Sequence, residues 1–126
     1  MPATSIGAPV SPPVELVNTI APPRAFRIIE GMAPAALDRL PVPDAIFIGG
    51  GASDAGVLDA ATRALRPGGR LAVNAVTLQS EALLLGRHSS LGGELIRLAV
   101  SRAQPIGQKT GWHAAMPVTQ WIWKKP

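Results

Sequence analysis

The run Ile46-Phe47-Ile48-Gly49-Gly50-Gly51 is an apolar strand that empties into three consecutive glycines. Glycines lack a Cβ, so they let a ligand lie against bare main chain and reach dihedrals closed to other residues. In an open α/β sheet, ligands bind just beyond the carboxyl ends of the strands. A plain strand-to-helix turn can use the same tripeptide, so the flanking sequence has to decide between the two.

The flanks alternate. Ala25–Glu30 reads as a short strand ended by Gly31, and Pro34 suits the first turn of a short helix, Pro34–Leu40. Asp44–Ile48 is apolar after its first residue, the pattern of a strand buried on both faces in a parallel sheet. Ser53 can cap a following helix that carries Val57, Leu58, Ala61 and Leu65 at helical spacing. Arg66-Pro67-Gly68-Gly69 breaks it, and Arg70–Thr77 is the next apolar strand, with Asn74 in its middle. A helix from about Gln79 fades near Gly92-Gly93. Glu94–Arg102 alternates like a half-buried strand. A connection with Gly107 and Gly111 then leads to a last strand, Pro117–Lys124, where Thr119, Trp121 and Trp123 share a face. The last two strands pair as an antiparallel hairpin. Alternating strands and helices imply an α/β fold with a parallel sheet, and a terminal antiparallel pair is a specific ending for it.

Residues 1–23 carry six of the prolines and no apolar period, so they read as an irregular, disordered leader before a domain over residues 24–126. The 126 residues contain no cysteine, which excludes disulfides, thiolate metal sites and a cysteine nucleophile, and suits a cytoplasmic protein. No stretch is long and apolar enough for a membrane span. The net charge of +4 is unevenly placed. Residues 86–126 hold Arg87, Arg97, Arg102, Lys109, Lys124 and Lys125 against Glu94 alone, with His88 and His113 among them. That cationic third favours an anionic partner. Nucleic acid fits poorly, because no aromatic platform or reading helix accompanies the charge. Ser53 has no base in a recognisable triad.

Six segments occurring in order sharpen the reading. They are Gly31-Met-Ala-Pro-Ala-Ala-Leu37, Pro43-Asp-Ala-Ile-Phe-Ile-Gly-Gly-Gly51, Leu65-Arg-Pro-Gly-Gly-Arg-Leu71, Val73-Asn-Ala-Val-Thr-Leu78, Gly92-Gly-Glu-Leu95 and Pro117-Val-Thr-Gln-Trp121. Together they resemble the C-terminal, decarboxylating methyltransferase domain of precorrin-6Y C5,15-methyltransferases, over roughly Arg27 to Pro126. The resemblance implies a Rossmann-like class I methyltransferase sheet, of which this sequence carries the C-terminal half. It implies S-adenosyl-L-methionine as cofactor, and methylation and decarboxylation of a precorrin in cobalamin biosynthesis, a chemistry that requires no metal. The precorrin ring bears many carboxylates, which arginine forks match in a bidentate manner.

The resemblance places the cofactor against Met32, Ala33, Gly49, Gly50 and Gly51. It offers Asn74, Arg87, His88, Arg97, Arg102, Trp112 and His113 as substrate-binding candidates, and singles out no catalytic residue. The sequence departs from the family in three ways. No glycine-rich loop after a first strand and no acidic ribose acceptor after a second are recognisable. Met32 stands where many relatives place an acidic residue. Half of such a sheet would expose an edge and a face, which self-association or a missing N-terminal half would cover. An alternative reading is therefore a non-catalytic module that pairs with a separate cofactor-binding half.

Overall fold

The computed structural model describes residues 3–6, 28–38 and 40–126. Five strands form one sheet in the order β1 (Ala3–Ile6), β2 (Ala45–Ile48), β3 (Arg70–Ala75), β7 (Val118–Lys124) and β4 (Glu94–Leu98). β1, β2 and β3 run parallel, and β7 lies antiparallel between β3 and β4. Strands β5 (Ser101–Ile106) and β6 (Lys109–Ala114) form a separate antiparallel hairpin. Helices α1 (Val57–Ala64) and α2 (Leu78–Leu91) connect the strands.

Pleating splits the sheet into two unlike faces. Ile46 and Ile48 stand beside Leu71 and Val73, which stand beside Trp123 and Trp121. All are buried, and α1 adds Val57, Leu58, Ala61 and Leu65 to the same core while α2 adds Leu84. An aliphatic side chain buried this fully contributes roughly 1.5–3 kcal/mol. The indoles of Trp121 and Trp123 stack with centroids 5.9 Å apart. Trp121 is wholly buried, and its Nε1 donates to the Gly92 carbonyl at 2.9 Å, so the polar atom of the largest core residue is satisfied. The opposite face carries Phe47, Ala72, Ile122 and Ile96, none of them buried. No described helix packs on it: Arg87 of α2 bonds Asp59 of α1, which puts both helices side by side over the first face.

Helix ends are fixed by specific partners. Thr77 caps α2, its Oγ1 accepting from the Ser80 amide at 3.2 Å. The α1 C-terminus is closed from a distance: Lys125 Nζ donates to the carbonyls of Thr62 and Leu65, both at 2.8 Å. An ammonium there satisfies orphan carbonyls and complements the negative end of the helix dipole.

Several sequence expectations need correction. Ala3–Ile6 is a strand within the leader read as irregular. It is free of proline between Pro2 and Pro9, and the β2 edge offers it a parallel partner. The expected strand Ala25–Glu30 fails at Ile28–Glu30, which have no strand structure, because β1 and β3 already occupy both edges of β2. Its residues 25–27 lie outside the described residues. The helix expected over Pro34–Leu40 is a 3-10 turn, Ala35–Leu37. Gly56, at φ +79°, rather than Ser53, precedes α1 and makes no side-chain cap. Glu94–Arg102 is two strands, since β4 stops at Leu98. The supposed connection is the β5–β6 hairpin, turned at Gly107-Gln108 with φ +59° at Gly107. The parallel strands and the antiparallel pairing of Glu94–Leu98 with Val118–Ile122 stand as expected.

Candidate active site

The carboxyl ends of β2 and β3 define one rim of the sheet. Gly49 donates its amide to the Ile6 carbonyl at 2.7 Å, which holds the glycine run beside the end of β1. Gly51 lies at φ +77°, a conformation open to glycine and strained for other residues, and a Cβ there would stand 3.1 Å from Asp54 Oδ2. Its carbonyl accepts from the Asp54 amide at 3.0 Å as the chain turns toward α1. The loop before β2 comes to the same place: a Cβ on Gly56 would lie 3.6 Å from Pro34 Cγ. In that loop Ala33 packs on the core, while Met32 is 66 % exposed. Met32, Ala33 and the glycines thus belong to one corner of the rim.

Asn74, next to last in β3, lies on the open face, and its Oδ1 accepts from Gln120 Nε2 at 2.8 Å. The two residues are directly opposite in the β3–β7 register. Gln120 is the partner that sequence reasoning missed. The pairing of β3 with Pro117–Lys124 was the only signal that could have found it.

The β5–β6 hairpin rises from the same rim. β7 begins beside the end of β3, and β4 ends beside the start of β7, so the chain leaves and re-enters the sheet at the carboxyl edge. Both hairpin strands are exposed almost throughout. Arg102 stands directly opposite His113, which places both on one face of the ribbon. Trp112, opposite Ala103, projects on the other and is 77 % exposed.

The remaining candidates are held elsewhere. Arg97, in β4, is bound to Glu81 of the first turn of α2. Arg87 bonds Asp59 at 2.6 Å, and the guanidinium holds the Asp59 carboxyl below its usual range by hydrogen bond and charge. Arg87 lies nine residues into α2, about 13 Å along its axis from the rim. His88 follows it, with its Nδ1 buried and without a partner among the described residues. The structure therefore gathers Met32, Ala33 and Gly49–Gly51 at one corner, Asn74 beside them on the sheet, and Arg102, Trp112 and His113 on the hairpin. It does not gather Arg87 and His88 with them.

A cavity of about 310 Å³ lies at the other end of the sheet, between the loop 37–43 and α1, lined by Thr4, Leu37, Val42, Ile46, Ala60 and Arg63 among others. Among the described residues no group of three His, Asp or Glu side chains could hold a metal ion. No described helix is long and apolar enough to cross a membrane.

The sequence matches the precorrin methyltransferase domain family over residues 17–125. It is 62% identical over 98 residues to a precorrin-6Y C(5,15)-methyltransferase [decarboxylating] of Sinorhizobium sp, covering 78% of this chain and 24% of that protein. The chain therefore spans about a quarter of the length of that curated relative. A crystal structure described as a putative precorrin-6Y C5,15-methyltransferase targeted domain from Corynebacterium diphtheriae superposes with a TM-score of 0.70 at 42% identity, over 75% of this chain and 56% of that one. The C-terminal domain of precorrin-6Y C5,15-methyltransferase from Rhodobacter capsulatus superposes with a TM-score of 0.69 at 46% identity, over 77% of this chain and 52% of that one. A family match over most of the chain and a relative of this identity agree: the chain belongs to the precorrin methyltransferase domain family.

Proposed function

We propose that this chain forms the C-terminal half of a domain that methylates and decarboxylates a precorrin with S-adenosyl-L-methionine in cobalamin biosynthesis. Family membership supports the chemistry. The observation that carries the assignment to this rim is the glycine backbone of Gly49–Gly51 at the carboxyl end of β2, on the same sheet edge from which a hairpin with exposed cationic and aromatic side chains departs.

The residues present fit the adenosine end of the cofactor. The corner offers glycine main chain, a thioether in Met32 that can pack on adenine, and backbone groups at Ala33 in place of an acidic acceptor. When bound, the cofactor supplies an electrophilic methyl on a sulfonium. The work of this chain is to align the ring carbon with that methyl and to keep water away.

On the substrate side, Arg102 and His113 form a cross-strand pair suited to a carboxylate of the ring periphery, and Trp112 offers a face for stacking. Asn74 contributes an amide at the rim. Arg97 and Arg87 are engaged by Glu81 and Asp59, so Arg102 is the arginine we assign to direct contact, and Arg87, Arg97 and His88 are not assigned to it. The cysteine-free chain and a tetrapyrrole intermediate fit a cytoplasmic setting.

A chimera tests this reading. Residues 28–126 replace the matching segment of the Rhodobacter capsulatus C-terminal domain, and methyl transfer and carbon dioxide release are measured with a precorrin substrate. Transfer at a rate within tenfold of the parent domain is expected. A folded chimera that binds cofactor and precorrin but releases no product would overturn the assignment. The alternative, a pairing module without catalysis of its own, is favoured by one observation, a sheet face on which no described helix packs.

A further inference from the structure

We propose that Gln120 is a positioning residue for substrate: it holds the Asn74 amide so that its NH2 group, at the carboxyl end of β3, donates to a carboxylate of the bound ring. The inference rests on the methyltransferase reading for the class of substrate, a polycarboxylate tetrapyrrole.

Register sets the pair. Asn74 of β3 and Gln120 of β7 stand directly opposite each other on the face away from α1 and α2, where facing Cβ atoms lie about 4.5–5.5 Å apart. Gln120 Nε2 donates to Asn74 Oδ1 at 2.8 Å. Asn74 Nδ2 has no partner among the described residues and is not buried, so it stays open to a ligand. One step past the paired Ile48 and Val73, the same register brings Gly49 level with Asn74. The free donor therefore borders the glycine corner of the rim.

Folding does not ask for amides here. On this face Ala72, Ile122 and Val118 flank the pair along β3 and β7, and Ile96 of β4 lies beside Gln120. The charged side chains of the face, Arg70, Lys124 and Glu94, lie nearer the amino end of β3. Two apolar side chains of similar size at positions 74 and 120 would be nearly neutral for stability, or better. What the amides add is direction. An asparagine can present either its oxygen or its NH2 group after a half turn of the amide, and only the NH2 group attracts a carboxylate. With Oδ1 held by Gln120, the two N–H donors of Nδ2 are the end left for a ligand. A donor fixed in advance loses less freedom on binding than one that has to be oriented by the substrate. The bond it makes to a carboxylate is charge-assisted, and apolar neighbours strengthen it. Arg102 on the hairpin supplies charge to the ring periphery, whereas Asn74 supplies a directed contact beside the glycines.

The test uses the intact chain and uroporphyrin, a tetrapyrrole polycarboxylate whose fluorescence anisotropy reports binding at fixed pH and salt. Asn74→Leu should weaken binding about tenfold and Gln120→Met about threefold to tenfold. The double variant should bind no worse than Asn74→Leu alone, because Gln120 acts through Asn74, and its urea midpoint should match the parent. Side-chain amide NMR supplies a signature that a merely structural pair would not give. The Asn74 NH2 resonances should shift on addition of uroporphyrin in the parent and not in Gln120→Met. The proposal is overturned if the parent chain does not bind uroporphyrin, if the Asn74 resonances stay still, or if Gln120→Met binds like the parent. It is equally overturned if Gln120→Met weakens binding as much in the Asn74→Leu background as alone. Turnover does not enter this experiment. An inactive chimera with this binding pattern would remove the methyl-transfer reading and leave the inference standing, and an active chimera without the pattern would do the reverse.

Discussion

Gly93→Ala should be the most damaging single-methyl change in the chain, and the structure says by how much. Gly92 and Gly93 end α2 at φ +76° and +92°, so an alanine at either position carries backbone strain of roughly 1–2 kcal/mol. At Gly92 nothing lies within 4 Å of the added Cβ, and strain is the whole cost. At Gly93 the Cβ would stand 2.5 Å from the Ile122 carbonyl oxygen and 3.0 Å from Trp121 Nε1. Backbone of β7 cannot yield as a flexible side chain would, so the 92–93 turn must retreat. That breaks the 2.9 Å bond from Trp121 Nε1 to Gly92 and strands a buried donor, at about 1–3 kcal/mol. Gly93→Ala should therefore cost roughly 2–5 kcal/mol in all, a large share of the 5–15 kcal/mol typical of a domain. Urea unfolding followed by tryptophan fluorescence measures both variants. In a Trp121→Phe background no indole N–H is left to strand, so the excess of Gly93→Ala over Gly92→Ala should shrink by the hydrogen-bond share. Equal costs for the two alanines, or an excess unchanged by Trp121→Phe, would refute the reasoning.

Calorimetric titration of S-adenosyl-L-methionine into this chain alone should show binding weaker than the low micromolar range, about −8 kcal/mol, because one corner of the rim holds only part of the cofactor. Tighter binding would mean that the site is complete as it stands. Lys125→Met keeps the side-chain stem but removes the ammonium that closes α1, and should lower stability by about 1–2 kcal/mol in the same urea assay. The Asp59 carboxyl titrates below its usual range, so the Arg87 contact stabilises the fold above the ordinary carboxylate pKa and is lost as pH falls through the depressed one. Thermal melts of Arg87→Ala should thus differ from the parent at neutral pH and converge with it in acid. In the chimeric domain, Arg102→Ala should weaken precorrin binding by about 1.5–3 kcal/mol while Arg63→Ala, on α1, leaves it nearly unchanged. Equal, salt-sensitive losses at both would indicate diffuse attraction.

What the sequence made legible depended on how local its cause was. The β2, β3 and β7 strands and both helices could be read because apolar period and breakers are written within each segment: Arg66-Pro67-Gly68-Gly69 ends α1 and Gly92-Gly93 ends α2. The leader strand could not be read, because four residues with no apolar period become a strand only when an edge of β2 is there to pair with them. The β5–β6 hairpin was missed for a different reason. Neither of its faces is buried, so alternation, the usual strand signal, has nothing to act on, and only Gly107 punctuates it. The site divides along the same line. The glycines announced themselves as sequence, whereas Gln120 on Asn74, Glu81 on Arg97 and Asp59 on Arg87 are set by register and helix packing. That hidden layer changes the meaning of the cationic third. Of Arg87, Arg97 and Arg102, two are already engaged by carboxylates, and the one left on the ribbon stands opposite a histidine, with an exposed tryptophan on the ribbon's other face. Even the apolar run through Phe47 divides this way: its strand pattern is legible in the sequence, whereas which of its side chains meet a helix, Ile46 and Ile48 but not the 39 % exposed Phe47, is set by the packing of α1.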